Sequence, residues 1–303
     1  MAPAVLVVVI TLLTGHAFAE PGRYAECAGR IVRASNGENT TFEQIVPDLT
    51  KADFILFGER HGVREQAQAS ACVLSAMVQA NKPAALVMEM LSRGDQKAID
   101  GWRKKHPESP SGLGVELRWW ERGWPAFENW LPLLDRAFAL RVPLFGGDLG
   151  QAEASRRTLT PKQENMLLKR LGKRAQTIVS GWQAAMTDAH CGLIDGKEAR
   201  QLGFRQARRD LSIADTAREA RPANGMVLVQ AGRGHSRKDR SLYAALADKN
   251  PQAVISIGAF VSEEEIKPSD RQAHDYLWIV GSDPQVGKPC AFNNASNSKV
   301  TSP

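Results

Sequence analysis

Two apolar runs in this chain end in the same way. Phe54-Ile55-Leu56-Phe57 leads into Gly58-Glu59-Arg60-His61-Gly62, and Met226-Val227-Leu228-Val229-Gln230 leads into Gly232-Arg233-Gly234-His235. Runs this short and this apolar, bounded by turn residues, fit strands buried on both faces. In an open α/β sheet such strands deliver their C-terminal residues into the crevice where ligands bind. The pattern predicts a strand over 53–57 that stops at Gly58, and a helix that starts after Gly62. Glu59, His61 and His235 then stand where chemistry is usually done.

The rest of the chain repeats the alternation. A strand over 84–88 terminates on Glu89, either a strand-end ligand or the acid that starts a helix. Another over 142–145 runs into Gly146-Gly147-Asp148, where Asp148 is a ligand or a cap. Further strands are expected over 254–257 and 276–280, while 40–47 either pairs or caps ahead of the first one. Helical composition fills the intervals: 63–80, rich in Ala, Gln, Leu and Met, then 91–140, 160–220 and 240–249. Thr160 with Pro161 at the first helical position opens the third of these, and Gly172 and Cys191-Gly192 break it. The expectation is an α/β fold with a mainly parallel central sheet flanked by helices and an inserted, Trp-rich helical lobe. It is read as one domain over 20–303, with insertions at about 91–140 and 160–220.

Trp102, Trp119, Trp120, Trp124 and Trp130 all fall in the first insertion. They either pack that lobe's own core or line a flat pocket for an aromatic ligand. A net charge of +6 over 303 residues is mild. With no basic run interleaved with aromatics, it gives no case for nucleic acid. Residues 4–13 are too short an apolar run to span a bilayer, and Ala17-Phe18-Ala19 has the small-x-small form of a cleavage site. A signal peptide over 1–19 is expected, hence a periplasmic or secreted protein. Leu13-Thr14-Gly15-His16 lacks the cysteine of a lipid-anchor motif. Export suits four cysteines, for which the expected pairs are Cys27 with Cys290 and Cys72 with Cys191. The tail over 290–303, rich in Asn and Ser, is expected to be mobile.

Glu59, His61, Glu89 and His235 come from three strand ends that a parallel sheet can bring to one edge. Imidazoles with carboxylates suit manganese, zinc or iron, and without metal a histidine beside a carboxylate suits hydrolysis by general-base catalysis. Gln206 and Asp210 share a face of one charged helix at four-residue spacing. His190, near a helix end, reads as a C-terminal cap.

The paired Gly-x-x-His motifs with a strand-end glutamate between them resemble a superfamily. It comprises the ChaN haem-binding proteins, the Tiki metalloproteases, the TraB/PrgY proteins and the erythromycin esterases. Gly58 to Glu65 is also similar to the esterases' Gly-Glu-x-x-His-Gly-x-x-Glu stretch, one residue shorter before the histidine. The ChaN branch adds the Glu89-Met90 strand end, a Trp-rich segment holding Trp124-Pro125, and a Gln206-x-Arg208-x-Asp210 helix. The resemblance implies a bacterial envelope protein that binds haem, works with an envelope haem-uptake machinery, and forms homodimers that hold haems between them. His61, Arg64, Trp124, His190 and His235 are the cofactor-binding candidates, with arginines for the propionates. The branch is associated with tyrosine ligation, and the lobe has no tyrosine, so a histidine would serve. The alternative is a Tiki-like protease or esterase-like hydrolase, metal-dependent or not, using Glu59, His61, Glu89 and His235.

Overall fold

In a computed structural model, residues 27–150, 158–248 and 250–281 are described. They form an α/β structure around an eight-stranded sheet with the order β2-β1-β8-β7-β3-β6-β4-β5. The strands are β1 (Arg30–Arg33), β2 (Asn39–Thr40), β3 (Phe54–Glu59), β4 (Ala84–Ser92), β5 (Leu144–Asp148), β6 (Met226–Gly232), β7 (Val254–Phe260) and β8 (Tyr276–Ile279). β5, β4, β6, β3, β7 and β8 run parallel, while β1 pairs antiparallel with both β8 and β2. The expected signal peptide and the 290–303 tail lie outside the described residues.

β3 does not stop at Gly58. It continues to Glu59, with Gly58 paired to Ala231 on one side and Gly258 on the other. The glycine is there for close approach: a Cβ at Gly58 would collide with Ser236 Oγ and come within 2.9 Å of Arg233 Cα, in the short helix Arg233–Ser236. Gly62 is the turn residue, with φ at +90°, and a Cβ there would meet Pro125 at 2.9 Å. The 61–64 turn is thereby seated against the Trp124 segment. β4 likewise runs past Glu89 to Ser92, so Glu89 is a strand residue and not a helix start.

Helices cover both faces. Phe42–Leu49, which opens on a Thr41/Gln44 capping box, and Arg64–Gln79 pack with Leu131–Ala139 on the Phe57 face. Gly196–Ala220 lies on the opposite face with Ser241–Leu246. The two insertions differ in how they are buried. Leu113, Trp119, Phe127 and Trp130 of the first belong to the same apolar cluster as Phe57, so that lobe shares the main core. The second, built from Pro161–Leu171, Ala175–Ala189 and the first half of Gly196–Ala220, has a cluster of its own around Trp182. Thr160 caps it as expected.

Cys27 and Cys72 are bonded to each other, with Cα atoms 5.8 Å apart. This overturns both expected pairings, Cys27 with Cys290 and Cys72 with Cys191. The physical reason is local: Cys27, just ahead of β1, packs at the edge of the core where Cys72 of the Arg64–Gln79 helix is buried, a proximity that sequence separation does not reveal.

Candidate functional site

β3, β6, β4 and β5 are neighbours in the sheet, and their C-terminal ends gather the predicted residues. His61 Nδ1 is 2.9 Å from Glu59 Oε1, and His61 Nε2 is 3.8 Å from Glu89 Oε2. His235 Nε2 lies 3.2 Å from Glu89 Oε1, and its Nδ1 is 2.6 Å from Asp210 Oδ1. Glu89 is the hub. It also accepts from the Gly232 backbone N–H at 2.6 Å and from Arg209 at 2.8 Å. Arg209 in turn bonds Asp148, so the Gly196–Ala220 helix supplies the site with adjacent residues of opposite charge, Arg209 and Asp210.

Such an arrangement is needed because the carboxylates are dry. An unpaired buried ion costs several kcal/mol or more, so each must be met by donors of matching charge. Burial alone would raise the Glu89 pKa, but His235 and Arg209 outweigh it and hold the carboxyl well below its usual range. Burial opposes the charged form of His235 too, yet Glu89 and Asp210 on either side push its pKa up to about 10. His61 is raised as well, with the Glu59 hydrogen bond and the Glu89 charge overcoming burial. Asp148 goes the other way: burial pushes its carboxyl up despite Arg209.

Glu59 ends β3 inside a second set of donors, with Trp130 Nε1 at 2.8 Å on Oε1 and Gln230 Nε2 on Oε2. All four carboxylate oxygens of Glu59 and Glu89 therefore already accept an N–H from the protein. Among the described residues no group of three or more His, Cys, Asp or Glu could hold a metal ion. The four residues named as a metal or hydrolase set do meet, but as a hydrogen-bonded charge network.

The cofactor-binding candidates divide. His61 faces the Trp124 ring edge-on, with centroids 4.8 Å apart, and 28% of its side chain is exposed against 8% for His235. Arg64 donates to the backbone carbonyl of Glu128, which places it on the same rim. His235 is buried behind Glu89. His190 is elsewhere: it caps the Ala175–Ala189 helix, bonds Met186 O at 2.8 Å, and lines a separate cleft with Asp195 and Gln201.

Trp124 is the wall between two openings. One, of about 470 Å³, is lined by Glu89, Met90, Asp95, Arg122, Asp148 and Arg209. The other, of about 390 Å³, is lined by Val115, Trp119, Trp120 and Phe127. Trp120 is 65% exposed while Trp119 and Trp130 are buried, so some of the tryptophans pack the lobe's core and others line its opening. Arginines are less available than their number suggests, since Arg122 is bidentate on Asp95 at 2.6 and 2.8 Å and Arg209 is held by two acids. Sequence reasoning missed Arg209, Trp130 and Gln230. Gln230 had a signal, as the one polar residue in an apolar run. Arg209 and Trp130 had none.

Residues 45–246 match the family described as haem-binding uptake, Tiki superfamily, ChaN. The chain belongs to this family. Among solved structures, the chain is similar to ChaN of Campylobacter jejuni, described for cofacial haem binding, at 19% identity and a TM-score of 0.62. That match covers 84% of this chain and 97% of the other. The type III effector HopBA1 matches at 17% identity, TM-score 0.42, over 85% and 98% of the two chains. The erythromycin esterase EreC matches at 12%, TM-score 0.41, over 84% and 82%. A search of curated proteins found no match. The ChaN-family match agrees with the α/β fold.

Proposed function

We propose that this protein binds haem at the bacterial cell envelope as part of haem or iron uptake, on the face that Trp124 forms beside His61. The observation that carries this reading is the family match over residues 45–246 together with the apolar surface around Trp124. One ring nitrogen of His61 is tied to Glu59, and the other faces Gly232 and stands 3.8 Å from Glu89 Oε2, so the ring contributes its edge to that face. Trp124 and the exposed Trp120 offer flat apolar surface, and Arg64, which holds the neutral carbonyl of Glu128 and has no carboxylate partner among the described residues, suits a propionate. Bound iron would supply the redox and ligand chemistry.

Tyrosine is poorly placed to hold the iron. Tyr276 donates its hydroxyl to Asp48 at 2.6 Å, Tyr243 packs with the cluster on the opposite face of the sheet, and Tyr24 lies outside the described residues. Export is supported by the leader-like sequence and by the Cys27–Cys72 disulfide, a bond that persists in oxidising compartments. The homodimer belongs to the same proposal, the exposed Trp120 and Val115 being the apolar surface for it.

The test is a haemin titration of the purified chain followed by its Soret band. Saturable uptake with a shifted band is expected, weakened in a His61→Ala variant. A flat titration removes the proposal.

A further inference from the structure

The opening of about 470 Å³ at the carboxyl ends of β4 and β5 lies where open parallel sheets hold their ligands, and it has the size of a small-molecule site. Every charged group that lines it is already paired. Asp95 holds Arg122, and Arg209 holds both Glu89 and Asp148, with His235 also on Glu89. A charged ligand would have to displace one partner of such a pair and leave the other dry and uncompensated, which is costly. A hydroxyl need displace nothing. Among the described residues, Asp95 Oδ1 takes one donor, Arg122 at 2.8 Å, and Asp148 Oδ1 takes one, the Leu149 N–H at 2.7 Å. Each of these oxygens keeps a second lone pair, and each terminal nitrogen of Arg122, bonded once to Asp95, keeps a second N–H. One hydroxyl can therefore donate to the carboxylate and accept from the guanidinium of a pair that stays intact.

The remaining wall is apolar, made by Trp124 with Met90 and Leu149. Arg209 lies 5.9 Å from the ring centroid of Trp124, so the polar floor and the aromatic wall adjoin. Such a cavity asks for a ligand with many O–H donors, no net charge and a face of C–H bonds to lay on an indole. A pyranose ring has all three, whereas a peptide backbone brings a single N–H donor per residue. We infer that this opening is a binding site for a neutral saccharide, with Asp95, Arg122 and Asp148 bonding its hydroxyls and Trp124 packing on its ring. The inference stands on this opening alone and is independent of haem binding.

The experiment keeps the ring and varies its charge. Methyl glucoside and N-acetylglucosamine as neutral rings, glucuronate as an anion and protonated glucosamine as a cation are titrated into the full chain by saturation-transfer NMR, while the tryptophan indole N–H signals are followed. A neutral ring should bind at least about tenfold more tightly than either charged one and should move the Trp124 signal. Trp124→Ala should lower that affinity by about tenfold or more. If Trp124→Ala fails to fold, Asp148→Asn, which trades an acceptor for an amide, decides by the same loss. Maltose that binds more tightly than methyl glucoside supports the inference with a glycan chain as the source, and equal affinities support it with a free sugar. No binding by any neutral ring, tighter binding by glucuronate or glucosamine, or a shift at Trp120 in place of Trp124 overturns it. Haem binding would then still stand or fall on its own titration.

Discussion

His61 and His235 reach one carboxylate from its two sides, Nε2 of the first lying 3.8 Å from Glu89 Oε2 and Nε2 of the second 3.2 Å from Oε1. Although 174 residues separate the two motifs in the chain, they are neighbours because β3 and β6 are neighbours. The two imidazoles nevertheless do different work. His61 has exposed surface and, among the described residues, one nitrogen without a hydrogen bond, while His235 is clamped between Glu89 and Asp210.

Glu89→Gln should therefore be felt first at His235. Removing the shared charge leaves Arg209 and His235 facing a neutral amide, and the His235 pKa should fall from about 10 toward the ordinary imidazole range. Breaking a buried charge set by removing one partner costs about 3–5 kcal/mol. An NMR titration of the His235 ring and urea unfolding check both; an unmoved ring pKa would contradict the network.

Haemin affinity should drop at least tenfold in His61→Ala, equivalent to about 1.4 kcal/mol. His190→Ala should leave it unchanged, since His190 lines another cleft. Soret titrations of wild type and the two variants read both effects.

His235 also makes stability depend on alkali. Its folded pKa, about 10, lies above the unfolded value near 6.5. The folded state thus holds a proton that the unfolded chain loses first. The contribution is complete below about pH 6.5 and fades as pH rises toward 10. Urea midpoints should fall across that window, and His235→Gln should flatten the slope.

His274 works at the acid end. Its Nδ1 pairs with Ser256 Oγ at 2.8 Å, while burial, with Arg237 and Arg233 nearby, pushes its pKa down to about 3. Below about pH 6.5 the unfolded chain takes up a proton that the folded one refuses. Stability is lost from there down to about pH 3. A His274→Gln variant should lose the part of this slope between pH 6.5 and 4.5, measured by thermal unfolding.

Opening the Cys27–Cys72 bond, whose partners are 45 residues apart, should cost about 4 kcal/mol on loop-closure entropy. The double Cys27→Ala, Cys72→Ala variant compared with wild type under oxidising conditions gives the number. Equal stabilities would mean that the bond adds nothing.

The strands and their polarity were legible in the sequence because burial on both faces writes itself as an unbroken apolar run, and parallel order follows from the helices between. That placed Glu59, His61, Glu89 and His235 at one edge without coordinates, and left Asp148 as either a ligand or a cap. Which of these touch which was not legible. Arg209 enters from a helix on one face and Trp130 from a lobe on the other, and a side chain's hydrogen-bond partner across 71 or 120 residues leaves no local pattern. The disulfide was misassigned for the same reason, since loop length says nothing about which Cα atoms come within bonding reach. Local sequence determined where the chain turns from apolar run to polar tip. Only the packing of helices onto both faces decided that the tip is a closed charge network with His61 left partly exposed beside Trp124.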